Sequence, residues 1–449
     1  MIDLIIFNSK MRQYFFFFNN KYFIKKNTAK FVPIIFYLVC VFQLESCTSQ
    51  KVNQTSTDRL YKKENNELNA KYTIYHLNDS ISQLFYEISN EVLLYKKTDT
   101  SDSFYSHIKV IVRVSSEDNL SLVSDVITFE LKYKQTEAVI RFLKGDILFN
   151  LKKGFNYYFD INVIDENKKT IYTSSLFSNK INSDSRQNFL TTNYHNDALF
   201  SPYNKMGDVV YLQSLRNQKK TYQVDYFKAN FRLALPPFSM EQMAHFSYKP
   251  DSTFNVDLID GKIELTLPQK GFFHLLTNSE TKDGVTFFVY ESSYPKIKNT
   301  EQMILSTRYI MAKKEFDNCM LAVDKKNAID NFWLEIAGSS ERAKELIRKY
   351  YGRVQEANKL FTSFQEGWKT DRGMIYIVFG APNKVTKRKN GEIWTFGEGA
   401  NSNYLVFSFL KINNPFTDND YYLERSETFK DSWYQSVDMW RQGRIYLDN

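Results

Sequence analysis

Histidine, cysteine and paired carboxylates carry most enzyme chemistry, and this chain spaces them poorly for it. The five histidines, His76, His107, His195, His245 and His274, stand 29 or more residues apart, so no local metal motif of the H-E-x-x-H kind exists. The cysteines Cys40, Cys47 and Cys319 fit neither a zinc ribbon nor a disulfide framework. No G-x-S-x-G, phosphate loop or dinucleotide fingerprint occurs. The densest polar chemistry is Lys369-Thr370-Asp371-Arg372, where a carboxylate beside a guanidinium suits acid/base or anion work. The structural reading is simpler and is preferred: Asp371 caps a turn, Arg372 pairs with an acidic neighbour, and Trp368 packs inward. No catalytic residue, metal ligand or cofactor is assigned, although carboxylate pairs assembled only in space stay open.

The elements that must hold this segment read as follows. Thr370 to Gly373 is a turn in which Gly373 supplies a positive φ. Met374 to Phe379 is apolar on both faces and reads as a central buried strand, stopped by Gly380-Ala381-Pro382. Lys384–Lys389, Asn390-Gly391 and Glu392–Phe396 form a hairpin pattern, because Asn-Gly suits a type I′ turn. The cations Lys384, Lys387, Arg388 and Lys389 make a solvated edge that discourages sheet-to-sheet pairing, with anionic lipid headgroups as the alternative contact. Tyr404 to Leu410 is a further strand. Ser432 to Gln442 is a helix with Trp433, Val437 and Trp440 on one side. Upstream, Ala343, Leu346, Ile347, Tyr350, Val354, Ala357 and Phe361 recur at helical spacing after the caps Ser339 and Ser340. Gly352 inside that helix marks a close helix contact or a bend. Cys319 is a core residue of another helix rather than a nucleophile.

The N-terminus explains the charge. The chain has 449 residues, 59 Lys+Arg and 51 Asp+Glu, a formal net charge of +8. Lys21, Lys25, Lys26 and Lys30 precede a fourteen-residue apolar run, Phe31 to Leu44, shorter than the ~20 residues a membrane-spanning helix needs. This is a signal-peptide layout, with Met11 an alternative start. Its end, Leu44-Glu45-Ser46-Cys47, resembles a bacterial lipobox and implies lipid attachment at Cys47; Glu45 departs from the usual small or apolar residue. Removal of residues 1–46 takes away six basic and two acidic residues and leaves +4, too weak and unclustered to call for nucleic acid. Residues 47–70 are polar and read as a flexible tether.

The remainder divides into three. Residues 71–182 alternate with period two and read as a β-sandwich of immunoglobulin-like size; residues 183–298 form a second β-rich domain with a rigid Pro236-Pro237 turn. From residue 299 to 449 the period turns helical, then mixed. The fold class expected is multidomain: two all-β sandwich-like domains followed by a C-terminal α+β domain, helices packed on a small antiparallel sheet. All five tryptophans, Trp333, Trp368, Trp394, Trp433 and Trp440, fall in that last part.

There the segment Gly367-Trp368-Lys369-Thr370-Asp371-Arg372-Gly373, with Gly380-Ala381-Pro382-Asn383 after it, resembles the GWxTD-domain proteins, bacterial envelope proteins named for this motif. The resemblance covers roughly residues 301–449, with weaker echoes at Ser201-Pro202-Tyr203 and Pro236-Pro237-Phe238. It marks Gly367, Trp368, Thr370, Asp371, Arg372, Gly373, Gly380 and Pro382 as structural or interaction residues and names no molecular activity. The functional expectation is a non-enzymatic lipoprotein of the outer membrane, lipid-anchored and facing the periplasm, with envelope proteins as partners. The alternatives are an envelope hydrolase or a glycan- or peptidoglycan-binding protein.

Overall fold

Strict alternation dictates the first module. Along Ile108, Val110, Val112 and Val114 every second side chain is buried at 2% exposure or less, while the residues between them are partly exposed. A computed structural model describes residues 60–444, except 63–64, 66, 99–100, 136–140, 202, 216–218, 229–230, 242–245 and 398–403. The expected leader, Cys47 and most of the tether lie outside the described residues.

The first module contains β1 (Lys71–His76), β2 (Ile81–Ser89), β3 (Lys96–Thr98), β4 (Ser101–Ser116), β5 (Asn119–Lys134), β6 (Phe142–Asn150), β7 (Phe155–Asp165) and β8 (Thr170–Lys180). One sheet runs β1-β2-β6; the other runs β3-β4-β7-β8, with β5 also paired to β4. Leu84, Ile88 and Phe149 from the first sheet meet Val112, Phe159 and Ile161 from the second in one core.

The second module contains β9 (Leu190–Thr192), β10 (Tyr203–Lys205), β11 (Val209–Gln213), β12 (Thr221–Phe227), β13 (Ser252–Ile259), β14 (Lys262–Thr266), β15 (Gly271–Leu276) and β16 (Gly284–Tyr290). Its order is β10-β16-β15-β12-β13-β14-β11-β9. β13 turns the corner: Ser252–Asp257 pair with β12, and Leu258 and Ile259 pair with β14. Side chains from both halves, such as Leu212, Ile263, Phe273 and Phe287, then fill one core.

The third module carries helices α1 (Thr300–Thr307), α2 (Lys313–Leu321), α3 (Lys325–Ala337), α4 (Ser340–Phe361), α5 (Asp371–Phe379) and α6 (Lys430–Arg441), with strands β17 (Lys384–Arg388), β18 (Gly391–Phe396), β19 (Leu405–Lys411) and β20 (Tyr421–Leu423) in sequential antiparallel order. Helices packed on a small antiparallel sheet behind two β modules is the expected fold class. The five tryptophans are all buried in this module. Ser339 caps α4 as expected, accepting from the Arg342 N–H at 3.3 Å.

Several expectations are corrected. Met374–Phe379 is not a strand: it continues α5, which is buried from Asp371 to Val378. A helix buried on all sides has no polar face, so its short apolar run carries no helical period. Gly373 therefore sits in the first helical turn and not at a positive φ. The hairpin loop lies one residue earlier than expected: Arg388 pairs with Gly391, leaving Lys389-Asn390 as the turn. Gly352 faces open space within an unbroken α4, so it marks no close helix contact. The cationic edge is not wholly solvated, because Lys387 reaches Asp160 at 3.1 Å and Lys389 reaches Asp118 at 2.6 Å, both in the first module. The tether ends before residue 70: Leu60 and Tyr61 are buried in the third module's core and Leu68 in the first's, so three apolar residues dock an otherwise polar stretch.

Cys319 is a buried core residue of α2, and burial raises its thiol pKa. Among the described residues no helix is long and apolar enough to cross a membrane.

Candidate functional site

The motif is a tight turn feeding a buried helix, and each of its residue types answers a local demand. Gly367 opens a single 3₁₀ turn, where a Cβ would stand 2.0 Å from the Ala357 carbonyl oxygen of α4. Trp368 is 1% exposed; its N–H donates to Asn358 Oδ1 at 3.0 Å and its carbonyl accepts from the Tyr309 hydroxyl at 3.0 Å. Thr370 caps α5: Oγ1 accepts from the Gly373 N–H at 3.0 Å and donates to the Gly367 carbonyl at 2.7 Å. Gly373 lets the turn close, since a Cβ there would lie 1.9 Å from the Gly367 oxygen. Gly380, at φ 91°, ends the helix beside the Arg353 guanidinium, and Pro382 is buried just beyond.

Asp371 and Arg372 point into the protein in different directions. Asp371 accepts from the Leu423 N–H at 2.7 Å and from both terminal nitrogens of Arg425, at 2.5 and 3.1 Å. Burial pushes its carboxyl above the usual range against the pull of Arg425. Arg425 also donates to the Leu235 carbonyl at 3.1 Å, and Ala234 donates to the Lys369 carbonyl at 3.1 Å, so the chain around Pro236-Pro237 lies along the motif. Arg372, 2% exposed, donates to the carbonyl and side-chain oxygens of Asn419 and lies 3.5 Å from Glu392. Its guanidinium stacks over Tyr421 at 3.8 Å and Phe361 at 5.1 Å. Glu392 in turn accepts from Trp394 Nε1 at 2.9 Å and from the Tyr61 hydroxyl at 2.9 and 3.0 Å. Asp420 completes the group: burial raises its carboxyl to about 7, opposed by Arg372 and reinforced by Asp371.

Asp371 and Arg372 thus each anchor a buried polar cluster, while the motif's other residues shape the turn and helix that carry them. The partners Glu392, Asn419, Asp420, Arg425 and Tyr61 carried no local signal, lying about 20 to 54 residues downstream of the motif or 311 upstream. One hint existed: between Val52 and Leu68, Leu60 and Tyr61 are the sole apolar residues of the tether.

The sequence between 271 and 442 matches the family model of the GWxTD domain. Residues 271–442 carry a GWxTD domain. The match begins in β15, earlier than the helical switch at Asn299, and packing explains why. One face of β15 and β16 presents Phe272, Phe288 and Tyr290 to Phe364 and Phe416 of the GWxTD domain, so these strands complete its wall. No curated protein matches the chain. Among solved structures, Bacteroides uniformis β-glucuronidase aligns at 9% identity and a TM-score of 0.19, over 28% of this chain and 13% of that one. Red sea bream transglutaminase aligns at 9% identity and 0.19, over 50% of this chain and 31% of that one. At such overlap neither structure bears on the activity of this chain.

Away from the motif, a cleft of about 280 Å³ lies where the modules meet, walled by Phe177, Phe189, Phe200 and Phe287 and crossed by an Arg186–Asp418 ion pair. Gln187 lines it. Among the described residues no group of three or more His, Cys, Asp or Glu side chains is placed to hold a metal ion.

Proposed function

We propose that this chain is a non-enzymatic envelope lipoprotein, a structural or protein-interaction component at the periplasmic face of the outer membrane, anchored through lipid on Cys47. The carrying observation is the fate of the motif's reactive groups. Asp371 is spent on Arg425 and Leu423, and Arg372 on Asn419, Glu392 and two rings, both at 5% exposure or less. Groups held this way support a scaffold better than a site that must meet substrate. The anchor is tested by fractionating cells that express Cys47→Ser: the variant should leave the membrane fraction, and retention there would sink the lipid assignment. Crosslinking from the membrane-bound protein should then recover discrete envelope proteins. A folded Asp371→Ala protein that fails to complement a deletion would overturn the purely structural role of the motif.

The cleft favours a second reading, binding of a glycan or peptidoglycan fragment, because aromatic walls beside an ion pair suit an amphipathic ligand. Titration with soluble muropeptides separates the two; no saturable response removes this alternative.

A further inference from the structure

In the GWxTD domain the residues that hold Tyr61 include Phe361, Tyr376, Glu392 and Trp394, and Tyr61 itself comes from far outside that stretch. The ring of Tyr61 lies 5.1 Å from Phe361, edge-on, and 5.1 Å from Trp394. Its hydroxyl donates to the Glu392 carboxylate, and its backbone carbonyl accepts from the Tyr376 hydroxyl at 3.2 Å. Glu392 is preset for that phenol by Trp394 Nε1 and by Arg372 of the motif. Leu60 is buried alongside.

We propose that the GWxTD core is a receptor for a short segment bearing a leucine and a tyrosine, and that residues 60–61 fill it in cis and reversibly. Three observations converge. The groups that contact the tyrosine belong to α4, α5 and β18, not to the segment's own neighbours in sequence. The occupant is a two-residue apolar island in a polar stretch, the pattern of a linear docking segment rather than of a core strand or helix. The side chains gained by docking are few, and their burial is of the same order as the ordering cost of the residues around them, so the segment opens without unfolding the domain. This role uses Arg372 as a positioning residue, acting through Glu392, and it stands whether or not Cys47 carries lipid.

The test uses the full chain carrying Tyr61→Ala, which removes the tyrosine ring from the pocket, with tryptophan fluorescence reporting on Trp394. A capped peptide spanning residues 58–62 should bind it saturably, and the same peptide with alanine for the tyrosine should bind at least tenfold more weakly. A folded Tyr61→Ala protein that ignores the peptide at millimolar concentration overturns the proposal. Native-state hydrogen exchange on the unmodified chain decides the case in which that variant does not fold. Amides of residues 60–62 should exchange at least a hundredfold faster than those of α4, and about tenfold faster again in Tyr61→Phe, which keeps the ring and loses the Glu392 contact. Exchange at 60–62 that occurs only with global unfolding makes Tyr61 an ordinary core residue and ends the proposal.

Discussion

Two sites in this protein, one in the first β module and one in the GWxTD domain, bury charge and treat it in opposite ways. In the first β module Lys180 is wholly buried, and among the described residues its ammonium meets one polar side chain, Ser82, at 2.8 Å. Burial lowers its pKa to about 8, and Ser82 is shared with His76 at 2.9 Å. In the GWxTD domain Asp371 faces Arg425 through two bonds and Arg372 faces Glu392 and Asn419. Lys180 copes by becoming easy to neutralise; Asp371 and Arg372 cope by pairing. A pairing network fixes where distant segments must meet, here β18, β20, the loop at Asn419 and the chain at Leu235. A lone ammonium fixes very little, so the lysine is replaceable where the motif residues are not.

The largest effect should follow from breaking a pair. Arg425→Ala strands Asp371 in a buried site and should cost about 3–5 kcal/mol, read as a lowered midpoint in urea unfolding followed by tryptophan fluorescence. A loss near zero would mean that the network is not what holds the domain together.

Asp420 offers a smaller, pH-dependent effect. Its pKa is raised when folded, so the folded chain holds the proton more tightly than the unfolded one, and stability falls as pH rises from 3.8 to about 7. Asp420→Asn should flatten that slope and stabilise the protein above pH 7 by about 2 kcal/mol. An unchanged pH profile would remove Asp420 from the account.

Lys180→Met should be the mildest change and of the opposite pH sense. With its folded pKa depressed, the lysine's penalty is fully present below pH 8 and fades as pH rises to 10.5. The variant should gain about 1–2 kcal/mol at pH 7 and nothing above pH 10.5, measured by denaturant midpoints across that range. A loss at pH 7 would show that the ammonium–Ser82 contact outweighs its desolvation.

Legibility in the sequence followed exposure. β4, β7 and α4 each keep one solvated face, and that face writes the period into the residue string. α5 has none, so its apolar run read as a strand; the better signals were its ends, Thr370 and Asp371 at the start and Gly380 at the stop. Gly373 reads as a residue of backbone freedom, whereas it and Gly367 are needed for space against other backbone. The inward packing of Trp368 and an acidic partner for Arg372 are legible from residue type; the turn cap expected of Asp371 is instead Thr370, and Asp371 faces Arg425 and Leu423. The identity of Arg425, Glu392 and Tyr61 as partners is not legible, because nothing local links them.

The docking of Leu60 and Tyr61 also sets a length. The next hold on the segment is Asn65, whose side-chain amide pairs with the backbone of Thr173 on β8. Freeing residues 60–61 while Asn65 stays in place would pay out five residues of leash, at most roughly 17 Å. Were the lipid anchor proposed above present, such a latch would give its mooring two lengths, one short and one long, selected by the state of Leu60 and Tyr61.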